Sequence, residues 1–441
     1  MKNIDVNDAI DNAKFHSFHW KVLFWCTLII IFDGYDLVIY GVVLPILMSQ
    51  WQLDPYVAGL LGSSALLGMM FGAVGFGMLS DKWGRKKTIL ACVILFSVTS
   101  AINGLVTSPW QFGLLRFIAG LGIGGVMPNV VSLMSEYSPK KSRSTLVALM
   151  FSGYAVGGMM SAGLGIWIVP NYGWEIMFYL AALPLLLLPM MIKALPESVT
   201  FLVVQGRQSE AGELMLQVEP GIELAAGDKL VLTEAGKQKA PVLELFSRGR
   251  AFSTMMFWVA FFCCLLMVYA LGSWLPKLMS QAGYALSSSL MFLLVLNIGA
   301  IIGAVGGGWL ADRFSLRSVL VSFFIAGSLS LMALGYPHPA TLLYLLMGIA
   351  GATTIGSQIL LYAYVAQYYP ANIRSTGLGW ASGVGRNGAI FGPMVGGTLL
   401  ALALPHHINF LVLAVPGVIA TLSIALVGRR FGSKPALAAE S

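Results

Sequence analysis

Apolar positions run in long blocks along this chain, and polar residues gather in short gaps between them. A bilayer-spanning helix needs about 20 mostly apolar residues. Twelve runs meet that length, near residues 20–48, 56–80, 88–107, 110–135, 145–169, 174–193, 252–279, 286–311, 317–336, 340–366, 377–403 and 408–428. A polar segment, residues 194–250, separates the first six from the last six. The pattern predicts an all-α membrane protein with twelve transmembrane helices, here called spans one to twelve. Its expected organisation is an N-terminal six-helix half (1–193), a central loop (194–250) and a C-terminal six-helix half (251–441). Within the loop, Ser209–Val218 suits a short surface helix, whereas "EPGIELAAGDK" is too polar and too broken by Gly and Pro to assign.

Composition agrees. Only 10% of the residues are charged and 57% are hydrophobic, against about 25% charged in soluble domains. Residues 1–19 are polar and mixed in charge, without the apolar core or cleavage site of a signal peptide. The net charge of +7 is spread over short loops, so it points to no nucleic-acid partner. Cys26, Cys92, Cys263 and Cys264 all lie in apolar runs and form no CxxC pair, which leaves disulfide and zinc readings without support.

Lys and Arg favour cytoplasmic loops. With the N-terminus inside, the outer loops contain a single basic residue, Lys277. The inner loops and termini hold Lys82, Arg85, Lys86, Lys87, Lys140, Lys141, Arg143, Arg313, Arg317, Arg374, Arg429, Arg430 and Lys434. Both termini and the central loop are therefore expected on the cytoplasmic side.

The halves repeat one another. "GMLSDKWGRKK" (77–87) matches "GWLADRFSLRS" (308–318), and "EYSPKKSRST" (136–145) matches "QYYPANIRST" (367–376), both at a spacing of 231 residues. Gly120 and Gly125 match Gly351 and Gly356 at the same spacing. Duplicated six-helix halves are a transporter architecture, with substrate sites near the midplane between repeats.

The first of these segments carries Gly77, Asp81, Gly84, Arg85 and Lys86, and its weaker copy carries Gly308, Asp312, Arg313 and Arg317. Glycine permits close helix approach. An aspartate there can meet a helix end or an arginine as a breakable inner latch. A loop serving only membrane topology needs neither. "RFIAGLGIGG" formally contains a dinucleotide fingerprint (Gly120, Gly122, Gly125), but it lies inside an apolar run without the strand that the motif requires. It is read as helix packing, as are the glycines of "SGYAVGGMMSAGLG".

Charges inside spans are few: Asp33 and Asp36 in span one, Arg116 in span four, Arg386 in span eleven, with Glu136 near the inner end of span four. Each costs roughly 2.5–3.5 kcal/mol to insert at the bilayer centre, so such residues face an interior and are functional by default. Asp33, Asp36 and Tyr40 share one helix face. Two carboxylates so close in a low dielectric do not both stay ionised comfortably, which suits a proton carrier. The plainer alternative is an ion pair between an aspartate and Arg116. Asp36 lies roughly 18 Å from the outer end of its span, Arg386 a similar depth from the inner side, and Arg116 only roughly 9 Å from the outer end. Arg386 is thus the favoured anchor for a carboxylate, whose two oxygens an arginine fork matches. Arg116 is then a second cation or the partner of Asp36. Glu136, seven residues before Arg143, suits either a proton path or an inner charge network. Asn129, Asn297, Gln358 and Asn387 are hydrogen-bond candidates, and Tyr154, Trp258, Tyr269, Tyr362 and Trp380 offer rings for stacking.

The span-one text "FDGYDLVIYGVVLP", the loop 77–87, Arg116, Glu136, "LPES" (195–198), Arg374 and Arg386 together resemble the aromatic acid:proton symporter family of the major facilitator superfamily. "DNAKFHSFHWKVLFWC" running into span one is most similar to benzoate and hydroxybenzoate transporters. The resemblance covers the whole chain. It implies proton-coupled uptake of an aromatic carboxylate across a bacterial inner membrane by alternating access, feeding ring catabolism. It also implies that Asp33 and Asp36 are required and that Arg116, Glu136, Arg374 and Arg386 are sensitive. Ser315 and Leu316 break the second loop motif, so gating carries over there only to Asp312 and Arg313. A monomer without cofactor or enzymatic activity is expected. The alternative from the same architecture is a proton-driven exporter of drugs or other organic solutes.

Overall fold

The computed structural model describes residues 3–222, 229–232, 242–247, 249–370 and 373–428, without the side chains of Ser144, Asp312 and Ser375. Arg429, Arg430 and Lys434, and part of "EPGIELAAGDK", lie outside the described residues. The helices are Ser17–Gln50, Pro55–Trp83, Arg85–Asn103, Pro109–Tyr137 and Arg143–Tyr172 for spans one to five. Span six is built from two pieces, Glu175–Leu180 and Leu183–Ala194. Spans seven to twelve are Ala251–Gln281, Leu286–Arg313, Leu316–Leu334, Ala340–Tyr368, Arg374–Ala401 and His406–Leu426. Among the described residues, 11 helical spans are long and apolar enough to cross a membrane. Span eleven is long enough at 28 residues, but its glycines and Arg386 dilute its apolar character.

Local chemistry sets the breaks. Asp54 caps span two by accepting from the Tyr56 N–H, with Pro55 in the first turn, where its missing N–H costs nothing. Pro184 falls at the start of the second piece of span six, just after the break at Ala181 and Ala182. The segment 77–87, expected as a loop, is almost entirely helical. Only Gly84 separates spans two and three. Its φ of +92° suits glycine, and a Cβ there would strike the Glu197 carboxylate.

The chain forms two compact units. The first comprises Met1–Lys237 with Ala285–Met291, the second Gln238–Tyr284 with Phe292–Ser441. Each packs its spans in the same way. In the first, span one lies against five, and spans two and three against four. In the second, span seven lies against eleven, and span nine against ten. The 231-residue spacing reaches the individual crossing points. A Cβ on Gly68 would strike the Phe117 carbonyl, and one on Gly299 that of Gly348. Gly72 meets Leu121 and Gly303 meets Ala352 in the same way. Gly157 meets Ile31 and Gly388 meets Phe262. Every member of these pairs is 231 residues from its counterpart, so small residues set equivalent backbone approaches in both halves.

The central segment is not a separate loop. Helices Val199–Val204 and Gln208–Val218 lie in the first unit. Strand Lys229–Val231 pairs in parallel with Asn3–Asp5 at the N-terminus. His16 Nε2 bonds the Val218 carbonyl at 2.8 Å, and the Lys14 N–H donates to Glu219 at 3.0 Å. The start of the chain therefore clasps the central segment. The 3-10 helix Val242–Phe246 belongs to the second unit, where it joins a core containing Phe257, Phe261, Phe324 and Tyr369.

Candidate functional site

Span one is the polar hub of the first unit. Gly34 brings its backbone against that of Tyr154 in span five. Tyr35 donates to the Met177 carbonyl in span six at 2.9 Å, and Tyr40 to the Ala58 carbonyl in span two at 2.5 Å. Asp33 and Asp36 are both fully buried. Asp36 Oδ2 accepts from Arg116 Nη1 of span four at 2.7 Å, and Oδ1 from the Ser100 hydroxyl of span three at 2.5 Å. Arg116 Nη2 also donates to the Asp36 backbone carbonyl at 3.1 Å. Arg116 is 2% exposed, so the pair is removed from water. Such burial is tolerated only when geometry and further hydrogen bonds compensate desolvation, and Ser100 and the backbone carbonyl supply those bonds. Of the two roles open to Arg116, the structure places it as the partner of Asp36. The long side chain closes the difference in depth between the two backbones.

The duplicated half shows what the fold itself demands. At the 231-residue spacing, Asp33, Asp36, Ser100 and Arg116 correspond to Cys264, Met267, Leu331 and Met347. All four of these are buried. The same architecture is thus completed by apolar side chains in the second half. The Asp36–Ser100–Arg116 trio is an addition to the first half and not a requirement of helix packing. Ser100 is one of many serines in the spans, and the comparison of repeats alone does not single it out, since Thr88, Asn103 and Asn129 likewise correspond to apolar Val319, Leu334 and Leu360.

Glu136 lies elsewhere. It is twenty residues beyond Arg116 on the same helix, roughly 30 Å away. It pairs with Arg85 at 2.8 Å and accepts from the Ser198 hydroxyl at 2.9 Å and the Thr200 N–H at 2.8 Å. Glu197 accepts from the N–H groups of Lys86 at 3.1 Å and Ser198 at 2.9 Å, and its carbonyl accepts from the Tyr137 hydroxyl. Arg143 reaches Asp11 at 2.5 Å and the Ser138 carbonyl at 2.9 Å. Glu136 and Arg85, joined to Glu197 through Ser198, and Lys86 and Gly84, which meet Glu197, therefore gather at one end of the first unit, distant from the aspartates, while Arg143 forms a separate contact with Asp11. Gly77 has open space at its Cα, and Asp81 is exposed.

In the second unit Arg386 is half-buried on span eleven, within electrostatic reach of Tyr362. Tyr362 meets Phe261 edge to face at 5.0 Å. Trp380 stacks on Trp258 with centroids 5.7 Å apart. Asn297 and Asn387 donate to carbonyls of their own helices, while Gln358 is half-buried on span ten. Arg313 lies over the Trp309 ring at 3.9 Å, and Arg374 is exposed. The Asp312 side chain lies outside the described residues.

The sequence profile of the Major Facilitator Superfamily matches residues 26–382 and 296–441. The chain belongs to this superfamily. Members and structural neighbours alike are transporters, and this superfamily member is a multi-pass membrane transporter and not an enzyme. It is 50% identical to the benzoate transport protein of Acinetobacter baylyi, over 97% of this chain and 94% of that one. It is 34% identical to the gallate transporter of Pseudomonas putida, covering 99% and 98% of the two chains. It is also 34% identical to the 4-hydroxybenzoate transporter PcaK of Pseudomonas putida, covering 97% and 96%. The resemblance read from the motifs thus holds over the whole length. In fold it is similar to the xylose transporter XylE of E. coli in a partially occluded inward-open conformation. The TM-score is 0.75 at 19% identity, over 95% of this chain and 100% of that one.

Proposed function

We propose that this transporter imports aromatic carboxylates, benzoate first among them, together with protons across a bacterial inner membrane. The observation that carries this reading is the buried Asp36–Arg116 pair, present in one repeat only, in a chain 50% identical to a benzoate transport protein. An aromatic monoanion entering a low-dielectric site needs a cation, and Arg116 is already engaged by Asp36. Protonating Asp36 turns an ionic acceptor into a neutral group and loosens its hold on the guanidinium. Arg116 is then available to the substrate carboxylate. Proton and substrate therefore favour each other's binding, which is the thermodynamic content of symport. Asp33, one turn away on the same helix face, is the second protonatable group of this device. Arg386 is the cation of the second repeat, and carboxylate binding is its proposed role. The network of Arg85, Glu136 and Glu197 is proposed as the inner latch, with both termini cytoplasmic and a monomer as the working unit.

A drug exporter would need a carboxylate open to cationic solutes, whereas Asp36 is engaged on both oxygens. Uptake of radiolabelled benzoate into proteoliposomes tests the proposal. Accumulation above that of protein-free vesicles, driven by an inward proton gradient, is expected. Equal uptake with and without the gradient would overturn proton coupling, and no benzoate uptake at all would overturn the substrate.

A further inference from the structure

A cleft of about 420 Å³ opens at the inner end of the first unit, between the junction of spans two and three and the helix Val199–Val204. Its lining is Lys82, Trp83, Lys87, Phe201, Gln205 and Arg207. Three of these six side chains are cationic, and no carboxylate lines the cleft among the described residues. Glu210 engages Arg207 through Nε at 2.7 Å and Nη2 at 2.5 Å. That contact fixes the guanidinium plane while using two of its five donors. Nothing in the proposed transport cycle uses this cleft.

The face leading up to it is apolar and open. Along span three, Ile94, Val98 and Ile102 are exposed, while Cys92, Val93, Phe96, Ser97 and Ser100 are buried. Spacings of four residues put the exposed set on one stripe. Lys87, seven residues before Ile94, lies on the same stripe at its inner end. Trp83 is 52% exposed beside it, as an aromatic residue at a membrane–water boundary would be. An apolar stripe ending in a basic cleft with an interfacial Trp matches a molecule with acyl chains and an anionic head. We propose that the cleft holds the headgroup of an anionic phospholipid from the cytoplasmic leaflet, its phosphate on Lys82, Lys87 and Arg207 and its chains along span three. Basic pockets at this level are suited to such headgroups, and Arg in particular matches phosphate oxygens in pairs.

The test uses the full-length protein, stripped of lipid in detergent and titrated with dihexanoylphosphatidylglycerol while thermal unfolding is followed. Dihexanoylphosphatidylcholine and inorganic phosphate are run in parallel. The anionic lipid should raise the melting temperature of the parent protein, and the other two should not. Removing charge as Lys82→Gln with Lys87→Gln should weaken the apparent affinity roughly fivefold per charge. Adding Arg207→Gln should weaken it further. Lys140→Gln with Lys141→Gln, at another inner loop, should leave the response unchanged. An equal response to phosphatidylcholine would overturn the charge requirement. An equal response to inorganic phosphate would overturn the lipid as occupant. An undiminished response in the Lys82/Lys87 variant, or an equal loss in the Lys140/Lys141 control, would overturn the site.

Discussion

Breaking the Asp36–Arg116 pair and replacing it wholesale should have different effects on stability and the same effect on transport. In Arg116→Met, Asp36 keeps Ser100 but loses its cation in a fully buried position. Removing one partner of a buried pair costs about 3–5 kcal/mol, because the other charge is left uncompensated. In the triple variant Asp36→Leu, Ser100→Ala, Arg116→Met, no polar group is left behind. Leu follows the forked shape of Asp, Ala fits the Ser site, and Met follows the stem of Arg, so overpacking stays small. All-apolar replacement of a buried pair is commonly neutral or stabilising by about 1–4 kcal/mol. The buried Met267, Leu331 and Met347 of the second repeat show that the architecture accepts apolar residues at these positions. The triple variant should therefore melt at or above the parent temperature while Arg116→Met melts clearly below it, by size-exclusion after heating. Both should fail to accumulate benzoate in proteoliposomes. A triple variant as unstable as the single one would show that the trio holds the fold. A triple variant that still accumulates benzoate would refute its place in coupling.

Asp33→Asn should abolish proton-driven accumulation and spare benzoate exchange between loaded vesicles, and full accumulation by this variant would remove Asp33 from proton carriage. Arg386→Ala should weaken benzoate binding in calorimetric titration, and unchanged binding would take it out of the site. Glu136→Ala deprives the Ser198 hydroxyl and the Thr200 N–H of their acceptor, at a cost of about 1–3 kcal/mol. Hydrogen exchange over residues 198–204 should quicken about tenfold, at 1.4 kcal/mol per factor of ten, and unaltered exchange would contradict the latch. Gly84→Ala forces a side chain into the extended positive-φ region (φ +92°, ψ +157°) at about 1–3 kcal/mol and against Glu197, so it should lower the melting temperature, whereas a neutral outcome would show that the turn relaxes.

Much of the architecture was legible because it is written in hydropathy and in the 231-residue spacing. That spacing, visible in two loops, turned out to govern helix crossings such as Gly157 on Ile31 and Gly388 on Phe262. The partner of Asp36 was harder to read. Helical rise places backbones and not guanidinium groups, so the depth of the Arg116 backbone does not give the reach of its side chain to Asp36. Ser100 was invisible to motif reasoning, since a single hydroxyl in a span has no spacing signature. The clasp between Asn3–Asp5 and Lys229–Val231 was also beyond reach, because three-residue strands far apart in the chain leave no periodic pattern. Residue type alone left Glu136 open between a proton path and a charge network, and the structure joins it to Arg85, Ser198 and Thr200. Its position at the helix end, beside Arg85 and the Ser198–Thr200 turn, is a fact of packing.

Coupling through Arg116 is tested most directly by measuring protons and benzoate in the same vesicles. Proteoliposomes carrying a pH-sensitive dye in the lumen would receive external benzoate, with protein-free vesicles subtracted. The expected result is lumenal acidification in step with benzoate entry in the parent protein, absent in Arg116→Met. Protein-dependent benzoate entry with no accompanying proton signal would contradict it.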